Sequence, residues 1–85
     1  MSRSVFTGAY DSVVATLVKA RRAAELTQAE LAGRLSKPQS FISKIERAER
    51  RIDVLEFCAL ARAIGVKPSD LIDAIDRNLP PEISI

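Results

Sequence analysis

Apolar side chains recur at spacings of three and four along most of the chain, and the interruptions coincide with helix start and stop signals. The first periodic stretch, about Asp11 to Ala24, aligns Val13, Leu17, Ala20, Arg21 and Ala24 on one face. The second opens with a capping box: Thr27 can accept from the backbone N–H of Glu30 while the Glu30 carboxylate reaches back to the N–H of Thr27. Leu26 and Leu31 stand at the staple positions around that cap, and Leu31, Ala32 and Leu35 form an inward stripe to about Leu35. Ser36 and Lys37 lead to a third helix, about Pro38 to Arg47, whose start suits the fixed backbone angle of proline. There Ile42 and Ile45 point inward, whereas Gln39, Ser40, Ser43, Lys44 and Arg47 gather on another face. That face holds amides, hydroxyls and cations and no carboxylate.

A fourth helix, about Val54 to Ile64, places Val54, Phe57, Cys58, Leu60, Ala61 and Ile64 on its apolar side, and Gly65 supplies the stop. Pro68 to Asp70 opens the fifth, with an acidic side chain in the positive first turn and Leu71, Ile72 and Ile75 on its apolar face. Pro80 and Pro81 end regular helix, leaving a tail in which Ile83 and Ile85 alternate. The pattern predicts an all-α, compact five-helix domain without internal repeats or linkers. Residues 1–10 read as an N-terminal arm, 11–77 as the helical domain with a two-helix core at 28–47, and 78–85 as a C-terminal tail.

Composition narrows the picture. Eighty-five residues suit one domain, enough to bury roughly 60 to 65% of the unfolded chain's surface. With 47% hydrophobic but only 5% aromatic residues, aliphatic helix packing is favoured over a sheet. The longest apolar run, Phe57 to Ala61, is too short to cross a bilayer, and MSRSVFTGAYDS has no apolar stretch of the length a secretory signal needs, so no membrane partner is expected and the cytoplasm is the expected address. The single Cys58, within FCALA, fits a small buried side chain better than a reactive thiol.

The formal net charge is only +2, but its distribution is uneven. Arg34, Lys37, Lys44, Arg47, Arg50 and Arg51 stand against Glu46 and Glu49, leaving +4 between residues 34 and 51. From residue 52 onward Arg62, Lys67 and Arg77 face Asp53, Glu56, Asp70, Asp73, Asp76 and Glu82, leaving −3. The basic end is a candidate phosphate footprint. Enzyme chemistry is not expected: the chain has no histidine, no metal-ligand spacing, no glycine-rich phosphate loop and no activated-serine motif. Asp70, Asp73 and Asp76, three apart, read as solvated surface. No catalytic residue, metal, cofactor or small-molecule ligand is implied.

LTQAELA, PQSFISKIE, LARAIGV and PSDLI follow one another from Leu26 onward in an order and spacing that resembles the lambda-repressor and Cro type of helix-turn-helix, also called the Xre family. The resemblance spans Leu17 to Leu71. It implies a sequence-specific transcriptional regulator that binds double-stranded DNA, with the third helix in the major groove. Gln39 and Ser40 match the base-reading positions, and Ser43 and Lys44 lie one turn further along. A glutamine amide can pair with adenine N6 and N7 together. Gln28 matches a phosphate-binding position at the start of the second helix, and Lys37, Arg47, Arg50 and Arg51 complete the expected phosphate set. Arg21 and Glu46 match a buried ion pair joining the first and third helices. Phe41 fits either a thymine methyl contact or the core.

Relatives act as dimers because one short helix reads too few base pairs. The expected homodimer contact is Ile72, Ile75, Leu79, Ile83 and Ile85, and repression by occupancy is the expected outcome. The alternative is an antitoxin or a protein-binding adaptor on the same fold, its acidic C-terminal half holding a protein partner. Two positions depart from the family pattern. Ser36 and Ala48 stand where many relatives have glycine, and a residue with a Cβ costs about 1 to 2 kcal/mol in a left-handed conformation. The turn at Ser36 is therefore expected to differ slightly, and the way the third helix ends stays open.

Overall fold

A computed structural model describes residues 8–83 and residue 85; the greater part of the expected N-terminal arm, residues 1–7, lies outside the described residues. The order is α1 (Gly8–Ala23), α2 (Gln28–Arg34), α3 (Gln39–Glu46), α4 (Val54–Ile64) and α5 (Pro68–Arg77). No strand occurs among the described residues. α1 packs against α3 and α5, α2 against α3 and α4, and α4 against α5. Leu17, Leu31, Ala32, Ile42, Ile45, Phe57, Leu60, Ala61, Ile64, Leu71 and Ile75 form the central core. No helix among the described residues is long and apolar enough to cross a membrane.

Local chemistry explains where the helices start. At α2 the Thr27 hydroxyl accepts from the Glu30 N–H at 3.0 Å, and the Thr27 N–H donates to the Glu30 carboxylate at 2.8 Å. An equivalent box, not among the expected start signals, opens α4: Asp53 accepts from the Glu56 N–H at 2.7 Å, and its own N–H donates to Glu56 at 3.0 Å. Pro38 caps α3 from outside rather than serving as its first helical residue.

Four helix ends share one device. The N–H of Leu26, Lys37, Glu49 and Val66 closes back to the carbonyl five residues earlier, on Arg21, Ala32, Lys44 and Ala61. Each closure follows a residue with a left-handed backbone: Glu25 (φ 59°), Ser36 (56°), Ala48 (59°) and Gly65 (100°). Only one of the four is glycine. The expected departure at Ser36 therefore does not occur: the serine takes the left-handed conformation itself, because the bond from Lys37 to Ala32 at 2.9 Å holds the turn. Ala48 ends α3 in the same way.

Several apolar assignments need correction. α1 starts at Gly8, so Tyr10 is helical and buried rather than part of an arm. Val14 is buried and Ala24 exposed, which shifts the inner face of α1. Val54 is 79% exposed, because the first turn of α4 projects past the edge of the core. Ile75, expected at a dimer contact, is 5% exposed and belongs to the protomer's own core, and Leu79 is partly buried against it.

Candidate nucleic-acid interface

α2 and α3 pack on one another across the turn at Leu35–Pro38, which leaves one side of α3 facing outward. Gln39, Ser40 and Lys44 are exposed there, and Ser43 is half-buried with its hydroxyl donating to the Ser40 carbonyl at 3.3 Å. The opposite side drives Ile42 and Ile45 into the core. α3 itself contributes no carboxylate to the outward side, and the acidic group beside it is Glu49, beyond the end of the helix.

Beneath it lies a polar network anchored in the core. Arg21 Nε donates to Glu46 Oε2 at 2.7 Å and Arg21 Nη2 to Glu46 Oε1 at 2.9 Å, a two-pronged pair whose side chains are only 9% and 10% exposed. A third nitrogen, Nη1, donates to the Leu26 carbonyl at 2.8 Å, so the guanidinium also braces the loop into α2. The hydrogen bonds that Arg21 donates to Glu46 raise its pKa above the ordinary value, against burial. Gln28 joins through its Nε2, 2.8 Å from Glu46 Oε1, and its Oε1 accepts from Gln39 Nε2 at 3.3 Å. The expected ion pair is thus in place. What the residue pattern did not reveal is that it continues through Gln28 to the tip of α3.

The expected phosphate residues divide into two groups. Lys37 and Lys44 are exposed, the Lys37 ammonium lying 5.3 Å from the Phe41 ring centre. The arginines are engaged. Arg47 pairs with Glu49 at 2.8 Å on the surface. Arg50 grips Glu56 at 2.6 and 2.9 Å, donates to the Arg51 carbonyl at 3.0 Å, and lies 4.9 Å from the Phe41 ring centre. Its bidentate bond, with the backbone of Asp53, holds the Glu56 carboxyl well down, at about 2. Arg51 lies 4.8 Å from the ring of Tyr10, whose phenol is pushed up by burial. Arg34 turns to the Ala63 carbonyl at 2.8 Å, away from α3. Phe41, left between two readings by its sequence, is half-buried against the core with cations over its ring. The Arg50–Glu56 pair follows from the Asp53 cap, whose Asp-x-x-Glu spacing was the available signal.

The comparisons with known proteins agree with this geometry. The helix-turn-helix family model matches residues 17–71. An XRE-family like protein from Pseudomonas syringae pv. tomato str. DC3000 is 47% identical and superposes with a TM-score of 0.78 over 85% of this chain and 88% of that one. The clp gene regulator ClgR from C. glutamicum, at 17% identity, shares the fold with a TM-score of 0.77 over 91% of this chain and 100% of that one. No curated protein matches the sequence. With the family model covering most of the chain, and a relative of nearly half identical residues along nearly all of it, the chain belongs to the helix-turn-helix family of the lambda-repressor and Cro type, a family of DNA-binding transcription regulators.

Proposed function

We propose that the chain is a sequence-specific repressor that lays α3 in the major groove as a homodimer. The observation that carries this is the outward side of α3: Gln39, Ser40, Ser43 and Lys44 without a carboxylate, on a helix fixed from beneath by Ile42, Ile45 and the Arg21–Glu46 pair. Gln39 and Ser40 sample base edges at the leading end, and Ser43 and Lys44 follow one turn on. Lys37, Lys44 and the start of α2 at Gln28 meet phosphates directly. Arg47 exchanges its exposed partner Glu49 for a phosphate at little loss, whereas Arg50 acts by holding α3 to α4 and Arg51 lends charge from beside Tyr10. Occupying a site that overlaps a promoter then represses without any ligand.

The dimer contact moves outward from its expected position. Ile72 is 52% exposed and Ile85 98%, and with Val54, Leu55 and Ile83 they leave aliphatic surface around α4, α5 and the tail. An open groove of about 480 Å³ between Val13, Val54, Phe57 and Ile72 continues that surface. A second copy seated there brings two α3 helices to half-sites roughly 34 Å apart, one turn of DNA.

Selection of bound DNA from a random pool, followed by titration at several salt concentrations, tests the reading. One enriched sequence, with affinity falling steeply as salt rises, is the expected result. Binding without preference over random DNA overturns it and leaves a protein partner as the function of the fold. Sedimentation showing only monomer, with and without the selected DNA, overturns the dimer.

A further inference from the structure

We infer that Tyr10 is a positioning residue for binding of the DNA backbone: its hydroxyl holds the chain beside Arg51 and its ring carries the Arg51 guanidinium, so that a phosphate meets an arginine already aimed. This rests on the chain binding DNA through α3, and it turns the general charge of Arg51 into a directed contact.

The connection from α3 to α4, residues 47–53, is the longest of the four and carries Arg47, Arg50 and Arg51. A backbone bond from the Glu49 N–H to the Lys44 carbonyl closes its first half. Side chains grip the second half, Glu56 through Arg50 and Tyr10 from the first turn of α1. The Tyr10 ring is 7% exposed and packs with Val14 and Ala48, which fixes where its hydroxyl can reach. That hydroxyl donates to the Arg50 carbonyl at 3.5 Å, a long bond. Burial raises the phenol pKa, and the Ile52 N–H, bonding to the same oxygen, opposes the rise. The phenol therefore touches the residues before and after Arg51. Arg51 itself is exposed, with its guanidinium 4.8 Å from the ring centre.

Stacking suits a group that has DNA to bind. The five N–H donors of a guanidinium lie in its plane, so a ring against its face takes none of them. An arginine swinging on a loop gives up rotamers when it meets a phosphate, whereas one resting on a buried ring has given them up during folding. The place fits as well. Arg51 directly follows Arg50, whose guanidinium lies over Phe41 of α3, and so stands beside the reading helix, where a groove floor gives way to phosphates.

The test measures binding to the selected site and to random DNA across salt concentrations, well below the Tm of each variant. Arg51→Ala is expected to weaken binding to both DNAs by a similar factor and to lower the salt slope by about one, the signature of one lost phosphate contact. Tyr10→Leu, which removes hydroxyl and ring, should weaken binding about three- to tenfold, and Tyr10→Phe, which keeps the ring, about twofold. In an Arg51→Ala background neither should cost anything further, because no arginine is left to aim. The base preferences stay those of wild type throughout. An unchanged salt slope in Arg51→Ala removes the phosphate contact. Wild-type affinity in Tyr10→Leu, or an equal loss with and without Arg51, leaves Tyr10 a core residue alone. Either result overturns the inference while α3 still reads DNA. Where Tyr10→Leu does not fold, Tyr10→Phe decides: a loss that vanishes in the Arg51→Ala background supports the inference, and any other result overturns it. Should wild type show no salt-dependent binding to DNA, the DNA-binding reading falls and the inference with it.

Discussion

The Arg21–Glu46 and Arg50–Glu56 pairs are chemically the same contact, a guanidinium gripping a carboxylate with two hydrogen bonds, placed in opposite surroundings. The first is nine-tenths buried between α1 and α3, while in the second the arginine side chain is 39% exposed. The short distances alone do not distinguish them. Water does: breaking the inner pair strands a charge away from solvent, whereas either outer partner is readily rehydrated. Each pair therefore answers to a different perturbation, the inner one to truncation and the outer one to acid and salt.

The largest effect should come from the inner pair. Glu46→Ala leaves Arg21 buried without its counter-ion and is expected to cost about 3 to 5 kcal/mol, a fall in Tm of roughly 12 °C or more for a domain of this size by calorimetry. An unchanged Tm would erase the contrast between the two pairs.

A smaller effect extends the comparison from ion pairs to backbone. Ser36 and Ala48 have the same left-handed conformation, but Ser36 is exposed while the Ala48 methyl is buried with Tyr10 and Val14. Ser36→Gly relieves strain and loses no packing, so it should raise stability by about 0.5 to 1 kcal/mol in chemical denaturation. Ala48→Gly gains the same relief but gives up a buried methyl worth about 0.8 kcal/mol, so it should be near neutral. Equal gains at both sites would mean that the Ala48 methyl does not contribute to packing.

The smallest effect belongs to the outer pair. The folded pKa of Glu56, about 2, lies below the ordinary 4.5, so its contribution is complete above 4.5 and is lost as pH falls from there toward 2. Acid titration of stability should therefore show a loss in that window that weakens with added salt and is absent from Glu56→Gln. An acid limb identical in the variant would assign the loss to other carboxylates.

What the sequence disclosed follows from the range of the interactions involved. Thr27 and Glu30 cap each other three residues apart and Pro38 stands at the start of α3, and these local signals place α2 and α3 to within a residue or so. Gly8 and Ala9 carry no start signal, so the beginning of α1 was missed, and with it the burial of Tyr10. Ile72 and Ile75 lie on one amphipathic helix, and periodicity cannot say which of them the remaining helices will cover; packing buried Ile75 and left Ile72 out. The Arg21–Glu46 pair was legible only through family resemblance. Its extension to Gln28 and Gln39 was not, because it depends on side chains 11 to 25 residues apart converging in space.

The repeated ending of the helices bears on how quickly the chain reaches this structure. Each corner is closed by a backbone bond spanning five residues, so the directions of α2, α3 and α5 are specified by neighbours in sequence before distant side chains meet. Chains whose corners can form locally lose little loop entropy on the way to the transition state, and small helical domains of this kind fold in roughly microseconds to milliseconds. A nascent chain of this design has little time in which Ile42, Ile45 and Leu60 are exposed to aggregation.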